Sequence, residues 1–171
     1  MEDSMHTILG NRFNKDEIVG YLQKNPEQFD LTFNLALENE YPQSWRAAWV
    51  VNHCIEKNDR RIQPFISTIM EVLNQKQDGH QRELLKILEN ATIPEDLEGE
   101  LFDLCVTIWG SVEKSPSVRI VAFRTIVQIV SKYPELKNEI DFLTQDHYLD
   151  SLSAGIRNSC QKQINKLNRI T

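Results

Sequence analysis

The sequence predicts an all-α protein: about four helix pairs in a right-handed α-α superhelix (α-solenoid), closed by a C-terminal capping helix. Three observations predict it. Apolar residues recur at helical spacing nearly everywhere, and no strand pattern interrupts them. Gly and Pro number only 6 each in 171 residues, too few to punctuate a turn-rich β fold. Similar side chains also return every 36 or 37 residues on two different helices of a repeating unit.

Nine helical segments follow in order, at roughly 14–24, 26–39, 42–57, 60–76, 79–91, 94–112, 116–132, 134–145 and 148–169. Asn14 with Glu17, and Thr92 with Glu95, resemble capping boxes, in which the two side chains satisfy orphan N–H groups reciprocally. Asp59 and Asp78 are further N-cap candidates, and Pro26, Pro42 and Pro134 each open a new apolar pattern. Ser115-Pro116 reads as N-cap followed by N1, where the fixed φ of proline fits the first turn. These segments pair into repeats at about 14–39, 42–76, 79–112 and 116–145, a capping helix at about 148–169, and an N-terminal tail at 1–12. All belong to a single predicted domain, 1–171.

The period rests on columns. Arg46, Arg82 and Arg119 stand early in the first helices. Phe29/Phe65/Phe102, Phe33/Ile69/Val106, Ala36/Val72/Trp109 and Leu37/Leu73/Gly110 follow on the second helices in the same register. Phe29, Phe33, Ala36 and Leu37 stand at i, i+4, i+7 and i+8, so they form one core-facing stripe. Each pair alone leaves its stripe uncovered, so neighbours stack to bury it.

Composition narrows function. Hydrophobic residues at 40% and charged residues at 26% exclude a disordered or membrane class. The formal charge of −6 opposes binding to phosphate backbones. The acidic N-terminus, Met1-Glu2-Asp3-Ser4-Met5-His6, is unlike a signal peptide, and Cys54, Cys105 and Cys160 form no Cys-x-x-Cys pair. A reducing cytoplasm is the expected setting.

Pro116-Ser117-Val118-Arg119 with Ala122, and Pro42 leading into Trp45-Arg46-Ala47-Ala48-Trp49, resemble the first helix of HEAT (armadillo-type) repeats. The stretch 14–145 is similar to small bacterial HEAT-like proteins of about this length. The resemblance implies a structural ladder for Arg46, Arg82 and Arg119, holding the polar ends of neighbouring helices together. It also implies an alternative function, a HEAT-like DNA alkylation-repair glycosylase or another nucleic-acid-acting protein. Against that stands the charge of residues 1–114, with 11 basic and 20 acidic side chains.

No catalytic, metal or cofactor motif is present. His53 and Cys54 are adjacent and so point about 100° apart on a helix, while the other histidines stand alone. The acids Glu95, Asp96, Glu98, Glu100 and Asp103 open a helix, where the macrodipole favours them. The expected function is a noncatalytic protein-interaction scaffold whose concave face binds a basic and apolar protein segment, with neither nucleic acid nor membrane as partner. The predicted strip is Glu27, Asp30, Asn34, Gln63, Ile66, Met70, Glu100, Asp103 and Thr107, with Ile66 and Met70 as its exposed apolar centre. Residues 115–171 reverse the balance, with 8 basic and 5 acidic side chains, and Ile156, Cys160, Ile164 and Leu167 form the stripe of the capping helix.

Overall fold

A computed structural model describes residues 5–170, which are 78% helical and contain no strand. They divide between Ile93 and Pro94 into two compact units. Residues 1–4, which carry most of the signal-peptide reading and the start of the predicted tail, lie outside the described residues.

The first unit contains α1 (Met5–Gly10), α2 (Lys15–Lys24), α3 (Glu27–Leu37) and α4 (Gln43–Cys54). A 3-10 helix (Arg60–Phe65), α5 (Ile66–Leu73) and α6 (Asp78–Glu89) complete it. Helix α4 is central and packs on α1, α2, α3 and α6. Phe33 is fully buried and stacks on Phe65 with ring centroids 4.0 Å apart. Caps hold where the sequence places Asn14 and Asp59: their side chains accept from Asp16 N and Arg61 N. Thr92 differs. Its hydroxyl donates to Asn58 and its carbonyl accepts from Gln63, so Pro94 takes the N-cap of the following helix instead. Asp78 is the first residue of α6, and Gln77 is its N-cap.

Two corrections concern element boundaries. Part of the predicted tail is α1, whose Met5 and Leu9 are buried one helical turn apart. Six residues show too little periodicity to mark a helix in the sequence, and packing on α4 stabilises what propensity alone does not. The predicted helix 60–76 instead begins as a 3-10 helix containing Pro64, whose missing N–H breaks the α ladder. Each 3-10 residue turns by about 120° rather than about 100°, so α5 does not keep the phase an uninterrupted α-helix from residue 60 would have.

Ile66 and Met70 of α5 lie in the core. They are 1% and 3% exposed, so they are not the surface centre of a strip. Together with Ile69 and Leu73 they form the buried stripe of α5.

The C-terminal end of α3 is closed from α6 and the segment before it. Lys76 Nζ donates to Leu37 O, Glu38 O and Asn39 Oδ1 at 2.6, 2.8 and 2.6 Å. The buried His80 ring pairs through Nε2 with Ala36 O at 2.7 Å. Cations belong at this end of a helix, where unpaired carbonyls concentrate negative partial charge. Burial pushes the His80 pKa below its ordinary value, and the Lys76 ammonium adds to that against the bond to Ala36. A neutral ring donating from Nε2 is therefore the folded form. Its stability contribution is complete above the unfolded value of about 6.5 and declines as pH falls from there through the lower folded value. Urea midpoints measured from pH 7.5 to 5 should fall, and His80→Gln should flatten that slope. An equal slope in the variant would assign the acid sensitivity to other groups.

The second unit contains α7 (Glu95–Gly110), α8 (Pro116–Lys132), a 3-10 turn (Pro134–Leu136), α9 (Lys137–Leu143), α10 (Asp146–Leu149) and α11 (Ala154–Ile170). Ser115 and Pro116 occupy the N-cap and first turn of α8, as the sequence predicts. Helix α8 packs on α7, α9 and α11. Trp109 is fully buried, meets Phe123 at 4.6 Å and donates from Nε1 to Leu143 O at 2.8 Å. The buried stripe of α7 is Leu101, Cys105, Ile108 and Trp109. Phe102 and Val106, predicted for the core, are half-buried instead.

Candidate functional site

The turn of the buried stripe leaves Phe102 facing a groove. The cavity there is about 580 Å³ and lies against α7, the end of α8, the 3-10 turn and α9. Helix α7 supplies Glu95, Glu98, Gly99, Phe102 and Asp103, which stand at i, i+3, i+4, i+7 and i+8 and so share one face. Opposite lie Ile129, Tyr133 and Leu136, with Glu135 and Glu139 one helical turn apart. The floor is thus apolar and the rim anionic. Five of the eleven acidic residues in 94–171 line this one cavity.

Glu98 is the fixed part of the rim. Lys132 Nζ donates to both of its oxygens at 2.8 and 2.9 Å, and Tyr133 Oη donates at 2.5 Å. Burial opposes its charge, yet these hydrogen bonds prevail and hold the carboxyl below the ordinary glutamate range. Glu98 is therefore an anchored carboxylate rather than a proton donor. Glu95, Asp103, Glu135 and Glu139 are exposed, and no cation among the described residues pairs with them. They leave negative charge for a ligand to neutralise. The lining holds no imidazole, thiol or alcohol. No group of three or more His, Cys, Asp or Glu among the described residues is placed to hold a metal.

The predicted strip has members in both units. In the first unit Glu27, Asp30 and Asn34 are exposed on α3, and Gln63 is exposed with its amide donating to Thr92 O at 3.0 Å. Ile66 and Met70 are core residues of α5. In the second unit Glu100, Asp103 and Thr107 are exposed on α7, and the Thr107 hydroxyl is turned back onto Asp103 O. Of the nine, Asp103 alone lines the groove. Sequence reasoning passed over Glu135, Glu139 and Tyr133, and assigned Glu98 and its acidic neighbours to the helix macrodipole alone. The available signal was the i, i+4 pair after Pro134, facing the acidic opening of α7.

The three arginines play different parts. Arg46 Nη1 donates to Leu9 O and Asn11 O at 2.8 and 3.1 Å, fastening the end of α1 to α4. Arg119 is fully buried and donates to Trp109 O, Ser151 Oγ and Tyr148 O at 2.9, 2.8 and 2.6 Å. Arg82 serves Glu83 instead, at 2.9 Å. That carboxylate is 1% exposed and also takes Lys86 and Asn52, because a buried charge requires partners.

Residues 6–167 match the family model described as the HEAT repeat domain. The chain belongs to the HEAT repeat family. No curated protein and no solved structure matches it. Membership agrees with the all-α, helix-paired construction of both units, and HEAT repeats are commonly protein-interaction scaffolds that are typically noncatalytic. No helix of this HEAT protein, among the described residues, is long and apolar enough to cross a membrane.

Proposed function

We propose that this HEAT repeat protein is a noncatalytic interaction module whose α7–α9 groove receives a basic partner segment bearing apolar side chains. The observation that carries the reading is the groove's makeup: four carboxylates with no cation partner among the described residues, and the anchored Glu98, around Phe102, Ile129 and Leu136. Lys or Arg side chains neutralise the rim, while apolar residues between them cover the floor. The same acidity repels phosphate backbones, which disfavours the nucleic-acid alternative. The absence of a disulfide among Cys54, Cys105 and Cys160 supports a reducing, cytoplasmic setting as part of this proposal.

A fluorescein-labelled synthetic peptide of alternating Lys-Leu-Arg units tests it. Binding should weaken as salt rises and the Debye length falls from about 30 Å at 0.01 M to about 10 Å at 0.1 M. The triple variant Asp103→Asn, Glu135→Gln, Glu139→Gln should bind about tenfold more weakly, since three exposed charges at roughly 0.5 kcal/mol each amount to that factor. Its urea midpoint should stay close to the parent's. Asp30→Asn, on α3, should leave binding unchanged. Equal binding by the triple variant, or a shift of damaged duplex DNA at low salt without peptide binding, would overturn the proposal.

A further inference from the structure

We infer that the apolar pocket between Phe13, Trp45 and Trp49 in the first unit is a second binding site, for an acidic partner segment with an aromatic side chain among its carboxylates. The cavity is about 290 Å³ and is lined by Asn11, Arg12, Phe13, Trp45, Arg46 and Trp49. Its construction is local. Trp45, Arg46 and Trp49 come from α4, and the other three residues come from the connection between α1 and α2. The bonds from Arg46 Nη1 to Leu9 O and Asn11 O tie that connection down over α4.

The rings are held by neighbouring rings. Phe13 meets Trp49 at 6.2 Å, Tyr41 stacks on Trp45 at 6.5 Å, and His53 lies 4.1 Å from Trp49. Both tryptophans remain partly exposed. Half-buried indoles held in place on a surface offer apolar area without further ordering cost.

Charge selects the occupant. Residues 1–93 carry 14 acidic and 10 basic side chains, yet two arginines and no acid line this pocket. Arg12 is exposed, and its planar fork of donors matches a carboxylate. A cationic ligand would meet both guanidinium groups, whereas a neutral apolar one would leave Arg12 unused. The volume suits one large side chain, and an aromatic ring has the shape to lie on the indoles. The polarity is opposite to that of the α7–α9 groove, so the two sites take segments of opposite sign.

Trp109 is buried elsewhere, so ligand-dependent changes in tryptophan emission report on Trp45 and Trp49. The probe is the acetylated, amidated peptide Gly-Asp-Phe-Glu-Gly, titrated into the whole protein. Emission should change saturably. The neutral peptide Gly-Asn-Phe-Gln-Gly and the ring-free peptide Gly-Asp-Ala-Glu-Gly should each bind at least about fivefold more weakly. Arg12→Gln should weaken the parent peptide by a similar factor, and Arg12→Lys by less, with unchanged thermal unfolding in both. The triple groove variant should bind this peptide as the parent protein does, which separates failure here from failure of the groove proposal. No saturable change, equal affinity for the neutral peptide, or no effect of Arg12→Gln would overturn the assignment. Tighter binding of oligo-dT with the same Arg12 dependence would also overturn it, making the pocket a platform for stacked bases.

Discussion

Arg119→Ala is expected to destabilise the protein by about 3–5 kcal/mol, the loss associated with opening a buried hydrogen-bonded network. The side chain is wholly buried, and its guanidinium lies 4.8 Å from the centre of the Trp109 ring. Truncation leaves Trp109 O, Tyr148 O and Ser151 Oγ without their donor and opens a cavity beside Trp109. Trp109 O belongs to the last turn of α7, where orphan carbonyls most need a cation. Arg119→Lys should recover only part of the loss, because the compact ammonium lacks the planar fork whose Nε, Nη1 and Nη2 each reach a different acceptor. Urea denaturation followed by circular dichroism reads both variants. A midpoint for Arg119→Ala close to that of the parent would show that water replaces the guanidinium without cost.

Met70→Asp is expected to unfold the first unit or cost more than about 4 kcal/mol, because it buries a carboxylate with no partner. Met70 is 3% exposed on α5, in the same stripe as Ile66, Ile69 and Leu73. Met70→Leu, which conserves volume and polarity, should cost less than about 1.5 kcal/mol. Asp30→Asn, on the exposed face of α3, should stay within about 0.5 kcal/mol. Near-parental stability of Met70→Asp would return Met70 to the surface and restore the strip that periodicity predicted.

Met70 also shows where sequence reading stops. Columns of apolar residues 36 and 37 apart are real, but Ile, Val, Leu, Phe and Met all satisfy them. A shift of one or two residues therefore leaves the pattern looking intact. On α5, after the 3-10 helix at Arg60–Phe65, Ile66 and Met70 join Ile69 and Leu73 in the buried stripe. In α7 the buried residues are Leu101 and Cys105 rather than the neighbouring Phe102 and Val106. This one-residue difference frees Phe102 to floor the groove.

The candidate site was legible only in fragments. The acidic opening of α7 stood out, and the macrodipole accounts for acids there whether or not they also bind. Glu135 and Glu139 were unremarked because their meaning comes from facing α7 across the groove. Thr92 shows the same dependence, since its capping pattern gives way to Asn58 and Gln63.

By itself the sequence determined the helical class, the cap and first turn at Ser115-Pro116, and membership in a repeat family. These follow from local preferences and from residue types recurring along the chain, which need no knowledge of neighbours. The tertiary structure alone decided the phase of each helix about its axis, the separate duties of Arg46, Arg82 and Arg119, and the grouping of carboxylates around Phe102. The reason is geometric: a shift of one residue turns a helix face by about 100°, and only the surfaces packed against that helix select which face is buried.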